Sequence, residues 1–116
     1  MGIYSQSNKK CRFSYSDLDD SLIISCREDN ENVKDRFNFG NFIFSLTGKG
    51  KIIGIQILNV SEVLPDYNIN PNILNKLENI NLITNINKGV LYLALVLSFL
   101  NEQARIPIPL MNLVKN

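Results

Sequence analysis

Through most of the first half of the chain, apolar and polar residues trade places at every second position, the period of a half-buried β-strand. "KCRFSY" and "LIISCR" both alternate and flank the polar, turn-rich "SDLDDS", which predicts a β-hairpin. Symmetric closure sets Tyr15 against Leu22, Phe13 against Ile24 and Cys11 against Cys26, and gathers these six side chains on one apolar face. Lys10, Arg12, Ser14, Ile23, Ser25 and Arg27 take the opposite face. A slip of one residue would invert both faces, so the separation itself specifies the register.

"VKDRFNF" alternates again, with Val33, Phe37 and Phe39 on one side and Lys34, Arg36 and Asn38 on the other. Gly40 and Asn41 make a turn, after which "FIFSLT" and "KIIGIQIL" form a second hairpin about Gly48, Lys49 and Gly50. If Thr47 faces Lys51, Phe44 lies opposite Gly54, an aromatic ring over a bare backbone. Ser61 is expected to cap a single turn, "SEVL", stopped by Pro65. "NPNILNKLENI" places Asn70 as an N-cap, Pro71 at the first helical position and Ile73, Leu74, Leu77 and Ile80 on one face. A short amphipathic helix is expected there, near residues 71–80. "GVLYLALVLSFL", "NEQ" and "ARIPIPL" read as a third, long hairpin. Pro107 and Pro109 fall two apart, so their missing N–H groups face one side, an open edge, and Ile106, Ile108 and Leu110 point to the core.

The expected fold is mainly β (α+β): antiparallel hairpins in a layered sheet or partly open barrel, with that one helix. It makes a single domain over 1–116, with a hairpin module at 12–64 and a helix plus C-terminal hairpin at 65–116. The piece between Pro65 and Pro71 is the natural place for a flexible joint. Strands 42–58 and 90–100 are apolar on both faces and require cover on both sides.

Composition narrows the function. The 116 residues suffice for one hydrophobic core, and 45% hydrophobic with 20% charged residues is a globular balance. A net charge of +1 gives no overall field to attract nucleic acid or membrane, so attraction must come from local clusters. "MGIYSQSNKK" lacks the apolar stretch of a secretory signal, and Gln6 stands where N-myristoylation wants Ser or Thr. The longest apolar run, from Val90 to Leu97, is far short of a membrane span. A cytoplasmic protein with no membrane partner is expected. The surplus of asparagine and isoleucine follows A/T-rich codons.

Histidine is absent, which removes His-based acid–base catalysis, the usual triads and nearly all zinc sites. "SLTGKGKIIGIQIL" holds the glycine–lysine stretch most suggestive of a phosphate loop. Its glycines, Gly48, Gly50 and Gly54, miss the dinucleotide spacing, Lys51 precedes isoleucine rather than Ser or Thr, and a strand follows where a helix is needed. A hairpin turn is the better reading. Asp17, Asp19 and Asp20 match no calcium loop and read as turn residues. No catalytic residue, cofactor site or metal site is expected, and the protein is read as no enzyme.

Tyr15, Asp20, Leu22 and Ile24, followed by Gly50, Gly54, Ile55, Ile57 and Leu58, make residues 12–64 resemble the prokaryotic domain of unknown function 2283. Its members read approximately Y-D-x-x-x-D-x-L-Y-I and then D-G-x-x-x-G-I-E-I-L. The resemblance implies a compact antiparallel β domain and no particular activity. The family's acidic positions in the second hairpin are Ser45, Thr47 and Gln56 here.

Two surfaces remain. Lys10, Arg12, Arg27, Lys34 and Arg36 share one sheet face if the first three strands pair in sequence order, and such a face can follow a nucleic-acid backbone. No aromatic residue stands among them for base stacking, and "REDNE" lies close enough to offset their charge. Cys11 and Cys26 face each other, either as a cross-strand disulfide or as two buried thiols. The expected role is a non-catalytic binding or assembly module that self-associates, most simply as a homodimer, through apolar β surface. Nucleic-acid binding by the basic face is the alternative, and a protein partner fits either.

Overall fold

The computed structural model describes residues 5–108. Within them eight strands form one antiparallel sheet: β1 Ser5–Ser16, β2 Ser21–Ser25, β3 Asp35–Phe39, β4 Phe42–Leu46, β5 Ile52–Leu58, β6 Asn79–Asn87, β7 Val90–Phe99 and β8 Glu102–Ile108. They lie in the order β3-β4-β5-β2-β1-β6-β7-β8, and the sheet curls into a half-barrel, the partly open barrel of the expectation. One helical turn, α1 (Val60–Val63), and two 3-10 turns (Leu64–Tyr67 and Pro71–Asn75) link β5 to β6. They bury Val60, Val63, Leu64, Ile69, Ile73 and Leu74 against the sheet's apolar face.

The first hairpin forms in the expected register, Tyr15 opposite Leu22 and Phe13 opposite Ile24. Sequence reading began this strand at Lys10, yet β1 starts at Ser5 and changes partner along its length. Arg12 to Ser16 pair with β2, whereas Ser5 to Cys11 pair with β6. One 12-residue strand therefore serves both halves of the chain, which share a single core. At the handover Cys11 and Cys26 stand 4.5 Å apart at Cα, joined as a disulfide and buried. That spacing is the one expected of a directly opposed, non-hydrogen-bonded pair.

Several expectations are corrected. First, β3 does not join β2: β4 and β5 lie between them. The apolar β5 takes the interior position, pairing Ile55 with Ile24 and Ile57 with Leu22, and the charged "DRFNF" is left at the edge, where charges discourage stray pairing. Second, Thr47 N does donate to Lys51 O at 2.9 Å, but Ile53 enters β5 as an extra residue. This β-bulge sets Phe44 opposite Ile55 and Ser45 opposite Gly54. A Cβ on Gly54 would meet the Ser45 Cβ at 3.3 Å, so a serine, not a ring, lies over the glycine.

Third, the helix expected near 71–80 is only the 3-10 turn Pro71–Asn75. Asn70 caps it as foreseen, accepting from Asn72 N at 2.8 Å, but from Asn79 the chain is strand β6. Ile80 and Leu82 alternate with Asn81, and pairing with both β1 and β7 buries them completely or nearly so; two ladders outweigh a weak local helix preference. Fourth, the stretch between Pro65 and Pro71 is no joint, since Leu64 and Ile69 are buried and Ile69 N donates to Leu64 O at 3.1 Å. The third hairpin forms, Leu95 facing Ile106 and Leu93 facing Ile108, but its turn is Leu100 and Asn101, and Glu102 and Gln103 of the expected "NEQ" loop already pair in β8 with Phe99 and Ser98. β8 lies at the sheet edge, as Pro107 demands; Pro109 and Leu110 fall outside the described residues.

Asp20 ties the first hairpin to α1. Its carboxylate accepts from Ser61 N at 3.1 Å, from Ser61 Oγ at 2.7 Å and from the Tyr15 hydroxyl at 3.3 Å, while its backbone oxygen accepts from Val60 N at 2.9 Å. The cap on this helix is thus Asp20 from a distant turn, in place of Ser61. Burial, then the adjacent carboxylate, raises the Tyr15 phenol above its ordinary value. Asp20→Ala is expected to lower stability by about 1–3 kcal/mol, because it strands these donors, whereas Asp17→Ala shifts it by no more than about 0.5 kcal/mol. Urea unfolding of the two variants checks the difference.

Candidate functional site

The glycine–lysine stretch is a turn in which the Lys49, Gly50 and Lys51 amides are already occupied. Thr47 O accepts from Gly50 N at 3.0 Å, and Thr47 Oγ1 accepts from Lys49 N at 3.3 Å and Lys51 N at 3.2 Å. Gly50 adopts φ +84°, which favours glycine. With these three N–H groups turned inward onto one threonine, no cradle is left for a phosphate.

The turn does form one wall of a pocket. On the apolar face of the sheet, registers align Ser7, Thr84, Leu93 and Ile108 in one row, and Lys9, Leu82, Leu95 and Ile106 in the next. At the open end of these rows lies a cavity of about 290 Å³. Cys26, Ile52, Leu82 and Leu93 are its buried parts, Leu91 and Ile86 form an accessible rim, and Lys9, Lys49 and Lys51 stand around it.

Two of those lysines are braced by carboxylates from the 27–34 loop. Lys9 pairs with Glu28, and Lys51 Nζ donates to Glu31 Oε2 at 2.5 Å. Glu31 Oε1 accepts from Glu28 N at 2.8 Å, and its side chain is only 16% exposed. The Lys51 ammonium and the Glu28 amide together hold the Glu31 carboxyl below the usual carboxylate range. Neither glutamate lines the cavity.

The five basic residues do not form one patch. Arg12, Ser25, Gly54, Ser45 and Arg36 lie in a single row across the outer face, which puts four strand spacings, about 19 Å of sheet, between the two arginines. Arg27 and Arg36 border a shallow trough over Ser25, Ser45 and Gly54. Arg27 Nη1 donates to Glu31 O at 2.6 Å, and Lys10 faces Asn81 of β6, so the like-charge pairing of Lys10 with Arg27 does not occur. Lys34 belongs to the glycine–lysine turn, its Cγ lying 3.6 Å from where a Gly48 Cβ would be. Val33, assigned with Phe37 from sequence, instead lines the outer trough, because it precedes β3 and escapes that strand's alternation.

Lys9, Leu91 and Thr84 were missed by sequence reasoning, along with β6. A signal was present for the first: alternation carried back from Cys11 puts Lys9 and Ser7 on the apolar face, and a lone ammonium there calls for an explanation. Among the described residues, no three His, Cys, Asp or Glu side chains converge as metal ligands, and no helix is long and apolar enough to cross a membrane. No family model matches the chain, and neither a curated protein nor a solved structure matches it. The resemblance of residues 12–64 to the domain of unknown function 2283 therefore rests on the quoted residues alone.

Proposed function

We propose that this protein is a non-catalytic binding module that takes an apolar ligand into the open end of its half-barrel. The observation that carries the reading is the cavity of about 290 Å³ between the 47–51 turn and strands β6 and β7, with buried leucine and isoleucine at its base and a half-exposed apolar rim. Concave apolar sites with few polar groups are the usual form of small-ligand pockets. Titration with the neutral fluorophore N-phenyl-1-naphthylamine is expected to give saturable enhancement, reduced at least tenfold in affinity by Ile86→Asp. Ile86 is 43% exposed, so this change polarises the rim without opening the core. Equal binding by the variant, or no saturable binding by either protein, would reject the pocket as the site.

Self-association is a second reading, favoured by Ile23 and Val33, which leave apolar surface on the outer face at 49% and 37% exposure beside Ile43. Light scattering at high micromolar concentration tests it, and a clean monomer removes it. Nucleic-acid binding would draw on Lys10, Arg12, Arg27 and Arg36, spread over the outer face beside a row, Ser14, Ile23, Gln56, Ile43 and Asn38, with no aromatic member. Loss of single-stranded DNA binding in Arg27→Glu, Arg36→Glu at low salt is the result it requires. A cytoplasmic location and a persistent Cys11–Cys26 disulfide pull in opposite directions, since cytosolic reductants keep such pairs as thiols. Rapid alkylation of the protein in its native compartment distinguishes the two.

A further inference from the structure

We infer that the ligand of the end pocket is an amphiphile, one short hydrocarbon chain bearing an anionic head. This rests on the binding reading above and goes further by naming the chemistry. The cavity is lined by three lysines, Lys9, Lys49 and Lys51, and by no acidic residue. Glu28 and Glu31 hold Lys9 and Lys51 in place yet stay out of the lining, and Lys49 makes no ion pair with any described residue. Among the described residues, the pocket lining therefore keeps one lysine, Lys49, without a carboxylate partner beside an apolar interior. Lys49 and Lys51 are exposed and Lys9 is half-buried, so an anionic head set there is attracted by solvent-facing charges whose pull is strongest at low salt.

The interior sets the other half of the ligand. Leu82, Leu93 and Ile52 are almost fully covered, so the chain must enter past Leu91 and Ile86. The volume is at the small end for ligand pockets, which begin near about 300 Å³, and this favours one short chain over a branched or polycyclic body. Lysine ammoniums are rotatable point charges that do not impose the planar, paired geometry of arginine. Carboxylate and phosphate monoester heads are thus both admissible, and the experiment separates them.

The full-length protein is titrated with decanoate, decyl phosphate and decanol at low salt, with methyl NMR reporting on Leu82, Leu91 and Leu93. At least one anionic ligand is expected to bind tenfold or more tightly than decanol and to show contacts from its chain to those methyls. In Lys49→Gln the advantage is expected to shrink to threefold or less while decanol affinity stays unchanged. The ranking of decanoate against decyl phosphate identifies the head. Decanol binding as tightly as both anions, or an advantage untouched by Lys49→Gln, overturns the charged head and leaves the apolar site standing. If none of the three binds, both readings fall, whether or not the methyls show contacts to another part of the chain or to a second copy of it.

Discussion

Phe44→Ala is expected to lower the free energy of unfolding by about 3–5 kcal/mol, the range for deleting a fully buried ring. Phe44 is completely covered. It stacks on Phe37 at 4.8 Å and on Phe42 at 6.0 Å between ring centroids, and aromatic pairs of this kind add about 0.5–1.5 kcal/mol each to simple burial. The second part of the effect is positional. Phe37 belongs to β3, an edge strand hydrogen-bonded on one side only, so the ring stack supplies much of what holds that strand against the core. Phe44→Leu should retain most of the burial but lose the stacking, giving a smaller loss. Urea denaturation of the three proteins measures the difference, and hydrogen exchange should show β3 amides deprotected before those of β2. A loss below about 1 kcal/mol for Phe44→Ala would mean that the inner face of this hairpin is not packed as described.

Reduction of Cys11–Cys26 is expected to remove about 3 kcal/mol, the chain-entropy value for a closed loop of some 15 residues; the two cysteines are separated by 15 positions. The position makes the effect structural as well. The bond lies where β1 leaves β2 and takes up β6, and Cys26 is part of the end pocket. Loosening this seam should therefore weaken ligand binding along with stability. Guanidinium unfolding with and without dithiothreitol, together with probe titration in both states, reads the two consequences. Identical midpoints in both states would show that the thiols are already free in solution.

How far the sequence reaches can be judged from neighbouring residues. Tyr15, Phe13 and Cys11 were paired correctly with Leu22, Ile24 and Cys26 because a short loop and a period of two leave one register that gathers these six side chains on the core face. The β7–β8 hairpin, with Pro107 at the sheet edge, was legible for the same reason. The neighbour of β3 was not: its alternation states which residues share a face and says nothing about which strand lies alongside. The Ile53 bulge was equally hidden, since "KIIGIQIL" alternates in either alignment. Lys9 shows the cost for the site. Its strand extends to Ser5 only because β6 lies beside it, and β6 was itself concealed beneath a proline-started helical turn.

By itself, then, the sequence determined the antiparallel β character, the local hairpins, the adjacency of Cys11 and Cys26, and the absence of histidine chemistry. All of these follow from side-chain type and spacing within a few residues of a turn. Tertiary structure alone decided the strand order, the handover of β1 between two partners, the capping of α1 by Asp20 and the meeting of three lysines at an apolar pocket. Each of these joins residues far apart in the chain, where the energy comes from buried contact between elements and leaves no periodic trace in either one.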